Sequence, residues 1–539
     1  MRGVAPLRAL CWWVDPPDVS GAVSGMSGRF FSKVGPVDWP GSGTVAAASW
    51  APPAAAGEGE TFAPGTGVTE ETGDVSGAGT AAAAGVGAVD GDGDWASTRI
   101  EAKAAARRTR SLFIGTKAGR YCEEDHLKSE TRWMDAVKRG EMSPWEVARR
   151  LAHLPGLVFL DSSLSRPGAV SRIAACPEEI IEGDEPEDWA RLRYALKRRA
   201  GQPGMAAGYV EYEGRFRFGL YERVLTYFHD DAHWLDEGGL AAMMADVDRT
   251  DDMPISFRPE MERTVYESIV RRAQEYIASG DIYQVNLAHR FSGVWSGGMG
   301  QALGFYDRLR EFSPAPCAAL VCAEDRVIAS SSPELFLQMD GRDIVTRPIK
   351  GTRARSGDAA ADAAAARELE ASSKERAELV MITDLERNDL GQVCEYGTVE
   401  VRALLKLEPY AQVHHLVSTV AGRLRNDVDH IAALQACFPG GSVTGAPKKR
   451  AREIIAELEP ARRGVYTGAI GCVRFDGHST FNIAIRTAVL ERSGKARFHV
   501  GAGIVADSDP RKEWEETLWK AAGLLRAADQ ACGQARKAC

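Results

Sequence analysis

Apolar positions along this chain recur with two periods, one of two residues and one near 3.6, and ordered patterning begins only around Trp145. Short apolar or alternating stretches predict strands at Leu157–Leu160, Tyr209–Tyr212, Gln284–Phe291, Ala318–Cys322, Glu334–Met339 and Ala469–Arg474. Longer segments with one apolar face predict helices at Arg263–Ser279, Ala359–Gln392, Ala446–Leu458 and Arg511–Ala528. Strands and helices mix without a regular strand–helix–strand alternation. This order predicts an α+β body with large antiparallel sheets and flanking helices, not a doubly wound parallel sheet.

Upstream, from about Gly41 to Gly93, Gly, Ala, Ser, Thr and Pro dominate, as in Ser76-Gly-Ala-Gly-Thr-Ala-Ala-Ala-Ala-Gly85. Such a stretch buries too little surface to offset the entropy of ordering it. Residues 1–110, ending in a basic, helix-like segment at Lys103–Arg110, are therefore expected to form a disordered leader that activity does not need. Residues 111–250 are expected to form an N-terminal region, and residues 255–530 the catalytic domain.

The chain carries 66 basic and 75 acidic residues, a net charge of −9, which argues against nucleic-acid binding through general electrostatics. An anionic ligand needs a local cationic or metal site instead. The ten cysteines show no CxxC pair or Cys/His cluster of the kind that holds zinc, so a reducing, cytoplasmic setting is expected. No apolar run approaches the roughly 18 residues that span a bilayer, so no membrane partner is expected. The apolar Leu7–Val14 stretch is short and interrupted by Arg8, and Glu58, Glu60, Glu70 and Glu71 argue against a transit peptide.

Three clusters carry candidate chemistry. Glu375 and Glu378 in one predicted helix, and Glu513 and Glu516 in another, stand three residues apart, which puts each pair on one helical face. If the faces meet, they form an all-oxygen cage suited to magnesium; taken alone, such pairs are usually a solvated, charged face. The segment Phe438–Arg450 is glycine-rich and leads into a basic helix start, so amides around Thr444 and Gly445 can cradle a carboxylate or phosphate. It is not a P-loop, because Ala446-Pro447 stands where Lys-Ser/Thr belongs. Pro447 fits the first turn of a helix. The third cluster joins Ser332-Pro-Glu334 to Lys350 in Arg347-Pro-Ile-Lys-Gly-Thr-Arg353, where a strand-borne lysine pointing inward becomes a nucleophile once desolvated. Isolated lysines are more often solvated, and a lone histidine such as His415 is more often structural.

Together these segments resemble the chorismate-utilising enzyme family, which includes anthranilate synthase component I, aminodeoxychorismate synthase component I, and the isochorismate and salicylate synthases. The matching blocks, in family order, are Asp281-Ile-Tyr-Gln-Val-Asn286, Ser332–Phe336, Pro348–Arg353, Ala377–Asp389, Val413–Ser418, Phe438–Arg450, Ile485–Ala488 and Gly501–Pro510. The resemblance covers Gly156 to about Ala528. It implies that Glu378 and Glu516 bind Mg2+, while Glu375 and Glu513 hold metal-bound water. Arg486 and Tyr466 would grip the enolpyruvyl carboxylate of chorismate, with the Gly503 amides and Lys520 nearby.

Within the family, Lys350 discriminates. Anthranilate and isochorismate synthases typically carry a small residue there, whereas aminodeoxychorismate synthases carry lysine. The resemblance thus implies that Lys350 attacks C2 of chorismate as hydroxyl leaves C4, with Glu334 as acid/base residue and His415 near the reacting ring. Ammonia then adds at C4, giving 4-amino-4-deoxychorismate for 4-aminobenzoate and folate synthesis. The alternatives are anthranilate synthase component I and a catalytically silent chorismate-binding subunit. No cysteine lies in a Gly-x-Cys-x-Gly turn of the glutaminase type, so a separate glutaminase partner is expected to supply the ammonia. Asp161 stands where feedback-regulated anthranilate synthases usually carry glutamate, which removes the expectation of tryptophan inhibition.

Overall fold

Strands that are apolar on both sides must be covered on both faces, and that requirement organises this fold. The computed structural model describes residues 133–529, apart from 165, 247–252 and 411. The expected leader, its basic segment Lys103–Arg110 and the first part of the 111–250 region lie outside the described residues.

In chain order the first elements are α1 (Pro144–Arg150), β1 (Val158–Asp161), β2 (Val170–Ala174), β3 (Glu179–Gly183), α2 (Pro186–Arg199), β4 (Met205–Val210), β5 (Phe216–Tyr221), β6 (Val224–Phe228) and β7 (His233–Glu237). There follow β8 (Arg258–Pro259), α3 (Arg263–Ala278), β9 (Gln284–Val294), α4 (Met299–Phe312), β10 (Cys317–Cys322), β11 (Arg326–Ser332), β12 (Leu335–Asp340), β13 (Asp343–Arg347) and β14 (Ile349–Ala354). The remainder comprises α5 (Ala359–Ala371), α6 (Ser373–Gly391), β15 (Glu400–Pro409), β16 (Val413–Arg423), α7 (His430–Cys437), β17 (Gly445–Ala446), α8 (Lys448–Leu458), β18 (Ala469–Arg474), β19 (His478–Ile483), β20 (Thr487–Glu491), β21 (Lys495–Ile504) and α9 (Pro510–Ala528).

The strands form two sheets. The first runs β17-β9-β21-β20-β11-β10-β1-β2-β6-β7 with β8 on β9, and the second runs β14-β16-β13-β12-β19-β18-β4-β5-β3 with β15 on β16. Every pairing of these strands is antiparallel, as the sequence pattern predicts. Both sheets take strands from before and after residue 250.

Alternate residues of each strand enter different cores. Val158, Ala319 and Val321 of the first sheet meet Met205, Ala207 and Cys472 of the second in the layer between the sheets. The intervening Phe159, Leu320 and Cys322 point the other way, into a core shared with α1, α4 and α9. On the far side of the second sheet, Ala206, Val210 and Phe481 pack with Trp189, Leu192 and Leu434 from α2 and α7. The result is a four-layer body, helices outside and sheets inside. Each large side chain so buried contributes about 1.5–3 kcal/mol.

Three predicted elements need correction. The single helix expected over Ala359–Gln392 is two, because Ser372 interrupts it and its hydroxyl caps α6 by accepting from Glu375 N at 3.4 Å. A serine side chain competes for backbone N–H groups in this way and starts a new helix. The helix expected from Ala446 begins at Lys448, with Pro447 as its N-cap, because Gly445 and Ala446 instead pair with β9. The strand expected at Tyr209–Tyr212 is Met205–Val210. Its small residues hide it from an alternation count, yet they are required. A Cβ at Gly208 would lie 1.9 Å from Arg217 O on the neighbouring strand.

Leu320 lies at the centre of β10 and is fully buried. Leu320→Ala should cost about 2–5 kcal/mol of unfolding free energy. Equilibrium denaturation measures this, and a loss below about 1 kcal/mol would contradict the layer assignment.

Candidate active site

Two of the links between the sheets build the centre of the site. Ser332-Pro-Glu334 joins β11 in the first sheet to β12 in the second, and Ala484-Ile-Arg486 joins β19 in the second to β20 in the first. They are bonded together: Ser331 N donates to Arg486 O at 3.1 Å, Ile483 N to Glu334 O at 3.1 Å, and Ser332 Oγ to Ile483 O at 2.6 Å. Glu334 and Arg486 are thereby brought side by side where the sheets meet. Arg486 holds a left-handed backbone (φ 50°), a conformation that costs a non-glycine residue energy and that its surroundings must impose. Burial weakens its hold on its proton, opposed by the nearby Glu334 charge.

Lys350 reaches the same place from the edge of the second sheet. The β14–β16 register shifts between Lys350 and Thr352, around Gly351 at φ 74°. A bulge of this kind re-aims the side chains next to it. Lys350 Nζ lies 3.8 Å from Glu378 Oε2 and 3.6 Å from where a Cβ on Gly503 of β21 would sit. A Cβ there would meet Lys350 at ordinary contact distance but would crowd Gln284 Nε2 at 2.7 Å. His415, opposite on β16, bonds Thr352 Oγ1 through Nδ1 at 3.0 Å. Burial, and after it the Arg486 charge, lower its pKa to about 4, so the imidazole is neutral at neutral pH.

The four glutamates come from α6 and α9, and lysines stand among them. Lys374 Nζ lies 3.4 Å from Glu513 Oε1 and 4.0 Å from Glu378 Oε1, and Lys520 Nζ is 2.8 Å from Glu516 Oε1. Lys520 also donates to Gly501 O at 2.9 Å. Burial raises the Glu378 carboxyl against the pull of Lys350 and Lys374. At Glu516 burial acts in the same direction, but the ammonium groups of Lys520, Lys374 and Lys350 outweigh it and hold the carboxyl below its ordinary range. Burial also raises Glu334, opposed by Ser442 and Lys350. The Ser442 hydroxyl is close enough to favour the Glu334 carboxylate but lies outside hydrogen-bond geometry, since neither Ser442 Oγ nor Glu334 Oε1 has a partner among the described residues. Glu375 turns away from Lys374, toward Arg353 Nη1 at 3.6 Å.

The glycine-rich segment lies along β9. Asn286 N donates to Thr444 O and Tyr283 N to Ala446 O, both at 2.7 Å. The Thr444 hydroxyl donates back to Gly440 O at 3.0 Å, so this residue presents backbone and not its side chain. Gly445 is required sterically, because a Cβ there would lie 2.2 Å from Gln284 O. Tyr466 is buried, stacked on His499 at 5.3 Å between ring centroids, with its hydroxyl 3.0 Å from where a Cβ on Gly501 would sit. Lys350, Glu334, His415, Arg486, Gly503, Tyr466, Lys520 and the Glu378–Glu516 pair thus share one region. The Ala377–Asp389 block serves it from behind: Gly441 N donates to Glu386 Oε1 at 3.1 Å, and Lys448 Nζ to Asp389 Oδ2 at 2.5 Å.

Sequence reading missed Gln284 and Asn286, buried amides on β9 whose Oε1 and Nδ2 have no partner among the described residues. Their signal was the block Asp281–Asn286 itself, whose polar residues interrupt an otherwise apolar strand. It also missed Ser508, whose hydroxyl donates to Glu513 Oε1 at 2.8 Å.

Oxygen-only donors with atoms unpartnered among the described residues, such as Glu513 Oε2, have the chemistry of a hard divalent-cation site. Among the described residues no set of three or more His, Cys, Asp or Glu side chains has metal-cage spacing. Lys350 and Lys374 stand between the carboxylates instead. A cation held by one or two carboxylates and completed by water and substrate oxygens suits Glu378 and Glu516.

Residues 181–526 match the family described as chorismate binding enzyme, well over half of the chain. The chain belongs to that family. The resemblance read from its motifs, and the antiparallel α+β fold that the resemblance implied, are borne out. Over 279 residues, 52% of this chain and 55% of the relative, it is 43% identical to anthranilate synthase component 1 3 of Haloarcula marismortui. Over 272 residues, 50% of this chain and 57% of the relative, it is 44% identical to aminodeoxychorismate synthase component 1 of Bacillus subtilis. The chain thus spans just over half the length of these curated relatives. The crystal structure of anthranilate synthase component I from Streptococcus pneumoniae TIGR4 superposes with a TM-score of 0.58 at 28% identity, covering 67% of this chain and 93% of that one. Two differently named activities stand at nearly equal identity, so the distinction between them rests on individual residues.

In this chorismate binding family member Asp161 lies apart from that region, in the wall of a separate cavity of about 410 Å3. Its carboxylate accepts from Arg310 Nε at 2.6 Å and Tyr306 OH at 3.1 Å.

For His415 the sign of the pH effect is fixed. An unfolded histidine takes up its proton near pH 6.5, the folded one only near about 4. The stability that burying the neutral ring contributes is therefore whole above about pH 6.5 and lost as pH falls toward about 4. Its Cε1 proton resonance, assigned with His415→Gln, should titrate below pH 5, and a midpoint above 6 would contradict the burial of this ring.

Proposed function

We propose that this chain is component I of aminodeoxychorismate synthase, aminating chorismate at C4. The observation that carries the reading is the position of Lys350. It lies on the bulged edge of β14, beside the bare backbone of Gly503 and within 3.8 Å of Glu378, in the same pocket as buried Glu334. A solvated lysine needs none of these features.

On this reading the Arg486 guanidinium, for which no side-chain partner is found among the described residues, binds the enolpyruvyl carboxylate with Tyr466. Lys520, Gly503 and the amides around Thr444 and Gly445 line the rest of the anion site. Lys350 Nζ, as the neutral amine, bonds to C2 while both conjugated ring double bonds shift one position toward C4 and the C4–O bond breaks. Glu334, kept protonated more readily by burial, gives its proton to the departing hydroxyl, which leaves as water. Ammonia then bonds to C4, both double bonds shift back, and the C2–N bond to Lys350 breaks, returning the lysine as the amine. His415, neutral and bonded to Thr352, orients the strand edge without adding charge. Glu378 and Glu516, with Glu375 and Glu513 behind them, would hold Mg2+, which when bound neutralises the ring carboxylate and the developing charge. The ammonia would come from a separate glutaminase subunit, in a cytoplasmic setting.

The named anthranilate synthase relatives support a second reading, in which pyruvate is eliminated and anthranilate forms. Mass identification of the product from chorismate, ammonium and magnesium separates the two. The expected product is 4-amino-4-deoxychorismate, and fluorescent anthranilate would overturn the first reading. A silent binding subunit would consume no chorismate at all.

Lys350→Ala should cut aminodeoxychorismate formation by roughly 100-fold or more. It should also abolish a lysine adduct seen by intact mass with chorismate in the absence of ammonia. Parental turnover in this variant would exclude Lys350 as nucleophile.

Glu378→Gln should retain the fold yet lose about 100-fold in kcat/KM, or about 2.7 kcal/mol of transition-state stabilisation. Undiminished activity, in the variant or in excess chelator, would remove the metal from the reading.

A further inference from the structure

Behind the anion site lies a buried cation that no motif singled out. Arg463 is 3% exposed and sits between α8 and β18. A guanidinium has five N–H donors, and each of these is used. Nε donates to Glu459 Oε2 at 2.8 Å, and Nη2 to Glu459 Oε1 at 2.6 Å and Asn286 O at 2.7 Å. Nη1 donates to Val443 O at 2.9 Å and Thr467 Oγ1 at 3.2 Å. Glu459 Oε1 accepts a further bond, from Ala288 N at 2.7 Å. The guanidinium carbon also lies 5.8 Å from the Tyr466 ring centroid and 4.6 Å from that of Tyr212.

Three separate segments meet on this ion pair: the glycine-rich loop at Val443 and the turn carrying Tyr466 and Thr467 on the guanidinium, and β9 on the guanidinium through Asn286 and on Glu459 through Ala288. Those segments supply the backbone and the tyrosine that face the anion site. A lysine at this position cannot reproduce the fork, having three donors on one atom. Burial makes the arrangement all-or-none, because a charge removed from water must keep its full set of partners.

We propose that Arg463, paired with Glu459, is a positioning residue that locks the glycine-rich loop, β9 and Tyr466 into the register that binds the anionic substrate. The proposal rests on the reading of this site as a chorismate site and adds to it the residue that sets substrate affinity. Arg463 bonds to neither Lys350 nor Glu334, so its loss should weaken binding more than chemistry.

The test uses the full chain with Arg463→Lys and, as the milder variant, Glu459→Gln. In Arg463→Lys the KM for chorismate should rise about tenfold while kcat falls less than about threefold. In Glu459→Gln the KM should rise about threefold or more. General destabilisation lowers the active fraction, and so kcat, but leaves KM unchanged. Hydrogen exchange should also quicken in peptides covering residues 284–288 and 440–446 and not in the core strand at 317–322. If Arg463→Lys does not fold, Glu459→Gln decides. A KM within twofold of the parent in the folded variants overturns the proposal, whatever happens to kcat. If the parent chain itself consumes no chorismate, the functional reading fails, and the exchange pattern alone then decides whether Arg463 locks these segments.

Discussion

The constraint on which the rest of the site depends is one pair among the chain's passages between the sheets. At Ser332–Glu334 and again at Ala484–Arg486 the backbone leaves one sheet for the other, and the two passages hydrogen-bond to each other. A passage between layers leaves peptide groups off both ladders, and such groups must find partners when buried. Here they find each other, which places a carboxylate and a guanidinium side by side where the chain crosses between the sheets. Everything else in the site is brought to that point by a strand edge or a helix face: Lys350 by β14, Gly503 by β21, and Glu378 and Glu516 by α6 and α9.

The motif blocks could be read in the sequence because each contains a residue whose type has one physical use at its position. Gly445 and Gly351 have positive φ and close neighbours, backbone at Gly445 and the Leu369 and Glu375 side chains at Gly351, Lys350 follows Pro-Ile in a strand, and the glutamates repeat at helical spacing. The α+β class was legible for a similar reason, since strand and helix periods alternate irregularly. What was not legible is the support. Arg463 and Glu459 look like surface residues at a helix end, and their burial follows only from the return of β18 to the second sheet. The partnering of Lys374 with Glu513, 139 residues away, depends on how α6 and α9 meet, which no local pattern encodes. Ser372 split a predicted helix because two apolar-faced segments share one period across a cap. Periodicity alone does not register a change of axis.

The electrostatics explain how a chain with net charge −9 can present a site for an anion. Five carboxylates, at Glu334, Glu375, Glu378, Glu513 and Glu516, are matched in number by Lys350, Lys374, Lys520, Arg353 and Arg486. The cationic members are held in place by specific neighbours and not by a general field. In a partly dry site such a balance is sensitive, because each unmatched charge is poorly screened.

That balance has a consequence for the proposed chemistry. A dianion entering alone would leave the region with two uncompensated negative charges, and a divalent cation entering alone would leave two positive ones. Each therefore lowers the cost of admitting the other, which makes their affinities reciprocal as linkage requires. The same argument accounts for the lysines between the glutamates: Lys350 and Lys374 keep Glu378 tolerable in its buried position, and an incoming cation must compete with them. On the proposed reading, a cation that took over Glu378 would release Lys350, which lies 3.8 Å from that carboxylate, so metal binding and access to the lysine would be coupled.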